Sequence, residues 1–213
     1  MSGQLRKNWI KLLIGGLVGG LAGYFSIDLY AGLGGGAELA QPDPMRLALS
    51  GVGVVYLLIG LFAGLGTLVP RVGAKLLNVA SSEDLVDQRA MLLGSSVSCG
   101  VIGAALMVLA ASGVGGTVPD GVALASLAFA LALSTGITAL QWRHYDELMR
   151  QVSWEGSAFG LALLVPALIS WAALAHLGWT SALDPLGVIA LVASLTLFGT
   201  FIATGRRGML TQG

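Results

Sequence analysis

Charge is scarce in this sequence. Charged residues make up 10% of its 213 positions, against 55% hydrophobic residues. A water-soluble domain carries roughly a quarter charged residues, so too few polar side chains are present here to cover a globule in water. The mean hydropathy of +0.84 points to lipid as the solvent. The 11 basic and 11 acidic residues cancel and form no basic face, which argues against a nucleic-acid partner. The single cysteine, Cys99, excludes an intrachain disulfide and is expected to pack as a small hydrophobe in its apolar run. Only two histidines occur, His144 and His176. No Walker pattern, serine-nucleophile motif or deep carboxylate pair is present, and no metal-ligand spacing is recognisable. No catalytic constellation, metal or other cofactor is therefore expected. Spanning strands are excluded too, because no run alternates and an open sheet edge cannot face lipid.

What the sequence does contain is long uncharged runs. A bilayer crossing takes about 20 residues. Leu12–Ile27 is the shortest run at 16 residues; Leu47–Pro70 gives 24, Gly121–Trp142 gives 22 and Pro185–Gly205 gives 21. Ala90–Pro119 is longer but ends in a glycine-rich loop, and Gly156–Leu183 holds only His176 as an ionisable group. Turn-rich breaks separate them, among them Gly34 to Pro44, Val118-Pro-Asp-Gly and Ala182-Leu-Asp-Pro. The expected fold is all-α: one polytopic membrane domain of six spans, near 9–31, 47–70, 90–112, 121–142, 156–178 and 185–205, arranged as three outward-and-back hairpins.

Basic residues in short loops set the orientation. Arg6, Lys7, Lys11, Arg71, Lys75, Arg89, Arg143, Arg150, Arg206 and Arg207 fall on one side, and Arg46 alone on the other. Both termini are thereby expected in the cytoplasm, which puts His144 and His176 on opposite sides, where they cannot share a metal. The basic start followed by a short apolar run also fits a signal peptide, but neither Leu29-Tyr-Ala nor Glu38-Leu-Ala is a good small-x-small cleavage site, so an uncleaved helix is expected.

Glycines mark the packing faces. Gly15, Gly19 and Gly23 lie four apart in the first span, as do Gly60 and Gly64 in the second; the third has Ser96 with Gly100 and Cys99 with Gly103. That spacing forms a groove in which another helix approaches closely, either within the chain or from a partner. Three ionisable residues at span edges are the candidate functional polar groups: Asp28, Glu155 and His176. Rim hydration also suits each of them. Pro166, inside the fifth span, is the candidate kink.

The segment from Gln141 to Glu155 is amphipathic, with Tyr145, Leu148, Met149 and Val152 at helical spacing and Asp146 four residues from Arg150. Trp142 and Trp154 suit the headgroup layer. The helix is expected to lie on the membrane surface or to lead straight into the fifth span. A matching segment, Ser81 to Arg89, precedes the third span, with Ser81 and Asp84 in a helix-start pattern. A shift of 62 residues aligns the third and fifth spans with 8 identities over 33 positions, including Asp84 with Asp146, Gly94 with Gly156 and Gly116 with Gly178. The repeats run in the same direction, unlike inverted transporter repeats.

The stretch Asp146-Glu-Leu-Met-Arg-Gln-Val-Ser-Trp-Glu-Gly-Ser-Ala158 resembles a pattern in uncharacterised small multi-pass bacterial inner-membrane proteins, where an acidic amphipathic stretch with a late Glu enters a span. The resemblance implies a bacterial inner membrane and no activity. The expected role is a non-catalytic scaffold or accessory subunit, surrounded by lipid and assembled through its glycine-rich faces with a membrane-protein partner or a second copy. A small-solute transporter or channel is the alternative, with a path through Ser95, Ser96, Ser98, Ser134, Thr135, Thr138 and Glu155. A membrane enzyme acting on lipid comes third, drawing on His144, Asp146, Glu147 and Glu155.

Overall fold

A computed structural model describes residues 43–68, 88–114 and 116–207. Five helices are found there: α1 (Pro44–Leu68), α2 (Arg89–Ala110), α3 (Asp120–Gln141), α4 (Glu147–His176) and α5 (Pro185–Arg206). All five are long and apolar enough to cross a membrane, and no strand occurs among the described residues. The expected first span, with Gly15, Gly19, Gly23 and Asp28, lies outside the described residues, as does the segment 81–87. The described count is therefore five rather than six.

The helix starts follow the turn chemistry of the sequence. Asp43 precedes Pro44 and accepts a hydrogen bond from the Met45 amide at 2.9 Å, satisfying one of the free donors of the first turn. Proline is the first helical residue of α5 and stands just before α3, where its missing N–H costs nothing. Asp146 caps α4, its carboxylate accepting from the Met149 amide at 2.7 Å. That carboxylate is thus used as a cap, and the Arg150 guanidinium turns instead to the Trp142 carbonyl at 3.5 Å. At the other end of α4 the chain leaves through Gly178, whose φ of +74° suits glycine, while the Trp179 amide closes back onto the Leu174 carbonyl at 3.0 Å.

The amphipathic segment before the fifth span does not lie as a separate surface helix. It is continuous with the span, and α4 runs for 30 residues. At 1.5 Å per residue it is about 45 Å long, beyond the roughly 30 Å of a hydrocarbon core. Its first turns, up to about Glu155, therefore project past the apolar layer. The helix runs on through Pro166, which is exposed and leaves the Ala162 carbonyl without its usual donor.

The helices pack in the spatial order α3, α2, α1, α5, α4. The core lies where α1, α2 and α5 meet: Leu49, Tyr56, Leu106, Ala110 and Ala190, with Cys99, Ile102 and Ala193 against them. The Tyr56 hydroxyl donates to the Ala193 carbonyl at 3.0 Å, so its one polar group is satisfied inside an apolar cluster. α1 and α2 are antiparallel, Gly53 lying opposite Gly103 and Gly60 opposite Gly100; α1 and α5 are parallel, with Met45 beside Gly187 and Tyr56 beside Ala193. One end of the bundle consequently gathers Arg89, Arg143, Arg150, Arg206 and Arg207, and the other carries Arg46.

Candidate functional site

Arg46, the one arginine or lysine among the described residues of its end, is engaged structurally. It donates to the Val114 carbonyl at 2.7 Å and lies 3.7 Å from the Asp43 carboxylate. Asp120 holds the same loop from the other side by accepting from the Gly113 amide at 2.9 Å. Gly113 has φ +82°, and it lies 65 positions before Gly178, the other left-handed glycine. The loop equivalent to that of Gly178 thus turns at Gly113 and not at Gly116, which the shift of 62 had paired with it.

The expected packing glycines of the second span sit against α2. A Cβ on Gly60 would come within 2.8 Å of both the Gly100 amide nitrogen and the Ser96 carbonyl, and one on Gly64 within 2.7 Å of the Ser96 hydroxyl. The Ser96 hydroxyl itself donates to the Gly60 carbonyl at 2.6 Å across the interface. A second close approach, not singled out from the sequence, joins α4 to α5. There a Cβ on Gly199 would run into the Gly160 amide nitrogen, which is closer than any real side chain tolerates, and come within 2.6 Å of the Gly156 carbonyl. Its signal was available: Gly156 and Gly160 are four apart, facing Thr196 and Thr200 at the same spacing.

Of the candidate polar groups, Glu155 is paired. Its carboxylate accepts from Arg207 at 2.5 Å and 3.2 Å, while Arg207 also donates to Gln151 at 3.0 Å. The hydrogen bond to Glu155, helped by its charge, raises the Arg207 pKa above its already high ordinary value. His176 is exposed in the last turn of α4, far along the helix from Glu155. The hydroxyls of the expected path are spread over separate places. Ser96 is spent on Gly60, whereas the Ser98 and Ser134 hydroxyls are buried without a partner.

One cavity brings several elements together at the arginine-rich end. It is a cleft of about 540 Å³ between α3, the short α3–α4 connector, α4 and α5. Thr138 and Trp142 come from the α3 side, Tyr145 from the connector, Ser153, Trp154 and Ser157 from α4, and Thr196 and Thr200 from α5. Trp142 packs 5.8 Å from Tyr145 and edge-on to Trp154 at 6.0 Å. Burial pushes the Tyr145 phenol pKa up, so it stays a neutral donor. Among the described residues no group of histidine, cysteine and carboxylate side chains is assembled that would hold a metal ion. No protein-family model, curated protein or solved structure matches the chain.

Proposed function

We propose that the chain is a non-catalytic membrane subunit, a scaffold or accessory protein, that docks onto a partner through the outward face of α3. The observation that carries this reading is the small-residue stripe on that face. Ala125, Ala128, Ala132, Gly136 and Ala139 recur at spacings of three and four and are all exposed. A Cβ on Gly136 would meet nothing within 4 Å. Small residues at this spacing let two helices approach closely in lipid, where apolar side chains alone give no preference for protein over lipid. Gly53 and Gly60 of α1, Gly103 of α2, Gly156 and Gly160 of α4 and Gly199 of α5, by contrast, already face a neighbouring helix of the chain. The charged side chains of the described helices, moreover, lie at or beyond the ends of their apolar runs. This favours a structural role over ion-coupled transport, which relies on ionisable groups deep in the membrane. The arginine-rich end faces the cytoplasm in this reading, and the membrane is a bacterial inner membrane.

The test is cysteine cross-linking in native membranes. A cysteine at Ala132 should give a stoichiometric adduct with one other polypeptide, and Gly136→Leu should abolish both the adduct and co-purification. Cross-links confined to the same chain, or an Ala132 cysteine that labels freely with no adduct, would overturn the reading. A small-solute transporter is the second reading, favoured by the cleft at the arginine-rich end.

A further inference from the structure

The walls of the cleft are only weakly polar, despite their hydroxyl groups. Thr138, Ser153, Ser157, Thr196 and Thr200 each donate to a carbonyl four residues earlier in their own helix, at 2.8 to 3.1 Å. Their hydrogens are spent, and no carboxylate, lysine or arginine lines the interior. A small soluble anion would find no strong donor deep in such a space, and a metal ion would find no charged ligand. The rim differs. Trp142, Tyr145 and Trp154 form an aromatic group, with Trp154 68% exposed. Arg150, one turn before Ser153 and Trp154, sets its guanidinium beside the Trp142 carbonyl, its Nε buried without a hydrogen-bond partner.

Among the described residues no carboxylate is ion-paired with Arg150. Asp146 is committed to the Met149 amide, Glu147 accepts from Gln151 at 3.3 Å, and Glu155 is paired with Arg207. Five arginines stand against these three carboxylates among the described residues of this end. A cleft between helices with no charged side chain inside it, aromatic side chains at its mouth and an arginine with no carboxylate partner beside them match one kind of molecule. Its charge is negative, its body is apolar, and it enters from the bilayer.

We infer that the cleft binds an anionic phospholipid of the leaflet at the arginine-rich end, with the phosphate at Arg150, the interfacial region against Trp142, Tyr145 and Trp154, and an acyl chain between α3 and α5. This site is separate from the outward face of α3 and does not depend on the role proposed for that face.

The experiment is native mass spectrometry of the full chain in mild detergent, titrated with dioleoyl phosphatidylglycerol or dioleoyl phosphatidylcholine, each with and without inorganic phosphate. Phosphatidylglycerol should be retained in preference to phosphatidylcholine, and inorganic phosphate should not displace it. One arginine near a membrane surface is worth about fivefold in affinity. R150Q should therefore weaken phosphatidylglycerol by about that factor and phosphatidylcholine, whose choline offsets its phosphate, by less, so that the preference narrows, and R150K should restore it. T138F, which fills the cleft from α3, should reduce retention of both lipids. If R150Q fails to fold, R150K and T138F still carry the test. Equal retention of the two lipids, an R150Q protein that keeps the preference, or retention unaffected by T138F would overturn the lipid site. Displacement by inorganic phosphate would overturn it in favour of a free-anion site.

Discussion

The helix pairs α1–α2 and α4–α5 both use glycine to bring backbones together, yet they are locked differently. In α1–α2 the close contacts come from both helices: Gly53 and Gly60 press on α2, and Gly103 presses on α1, where its Cβ would stand 2.6 Å from the Gly53 carbonyl and 2.7 Å from the Leu57 amide nitrogen. A hydroxyl also crosses the interface, from Ser96 to Gly60. In α4–α5 the pressure is one-sided. Gly199 has backbone atoms of Gly156 and Gly160 against it, whereas a Cβ on Gly156 or Gly160 would lie 3.3 Å from the nearest atom. Thr196 and Thr200 bond within α5, and the polar ties between the helices are those of Arg207 to Glu155 and Gln151 at the end. Spacing alone therefore does not say which glycine is indispensable. What matters is whether the missing Cβ would point at a partner's backbone, which cannot move without moving a helix.

The most damaging substitution in the α1–α2 pair should be Gly103→Leu. Its side chain meets backbone on two sides, and overpacking of this kind costs typically 1–3 kcal/mol and occasionally more. We expect a loss of about 3 kcal/mol, read as a large fall in the melting temperature of the detergent-solubilised protein. Gly199→Leu, whose Cβ would meet only backbone and at still shorter range, should cost at least as much. A Gly103→Leu protein that melts like wild type would mean that α1 and α2 separate freely, and the two pairs would no longer differ as described.

Alanine substitutions sharpen the contrast. Gly60→Ala should cost about 1–2 kcal/mol, because its Cβ meets Gly100 and Ser96 backbone at 2.8 Å. Gly100→Ala, directly opposite, should be neutral or stabilising by up to about 1 kcal/mol, because nothing lies within 4 Å of its Cβ and alanine is the better helix former. Gly199→Ala should be severe, and Gly156→Ala and Gly160→Ala mild. Equal effects at Gly60 and Gly100 would contradict the geometry.

These distinctions mark how far the sequence could be read. Apolar runs and their breaks are properties of neighbouring residues, so the positions of α1, α2, α3 and α5 were legible within a few residues, whereas Asp146, expected as a partner for Arg150, is the cap of α4. The outcome at 141–155 could not be read in the same way. Nothing in the run itself decides between a surface helix and an extension of α4, and nothing in the five-residue connector after α3 announces the cleft. The groove partners were half-legible. Gly60 and Gly64 stood out, yet Gly100 looked equivalent to Gly103 because sequence spacing carries no direction, and only the crossing of α1 and α2 separates them. Pairing across long separations was hidden altogether: Glu155 and Arg207 are 52 positions apart, and each looked like an unattached charge at a rim.

The hydroxyl that crosses between α1 and α2 should matter less than the glycines beside it. Ser96→Ala removes the bond to the Gly60 carbonyl, but that carbonyl remains an acceptor within α1. Interhelical hydrogen bonds in membranes average about 0.6 kcal/mol in double-mutant measurements. A small fall in melting temperature is expected, well below that of Gly60→Ala. Combining Ser96→Ala with Gly64→Ala should be less than additive, since the Ser96 hydroxyl is the atom that a Cβ at Gly64 would crowd at 2.7 Å. Strict additivity would show that the two residues do not meet.

Glu155→Gln should give the smallest change of all. The pair with Arg207 stands at the end of the bundle with both side chains partly exposed, and ion pairs so placed are screened by water and salt. A glutamine keeps an acceptor for the Arg207 guanidinium, and Gln151 already supplies a second. We expect a melting temperature closer to wild type than that of Ser96→Ala, and no effect on the retention of phosphatidylglycerol at Arg150. The substitution also divides the proposed roles. A scaffold tolerates it, because docking through α3 uses no charge at position 155. A carrier that moved protons or cations past the rim would lose flux in proteoliposomes when that carboxylate is neutralised. If solute flux is present and falls with Glu155→Gln while the melting temperature holds, α4–α5 is a working gate and not merely a looser version of α1–α2.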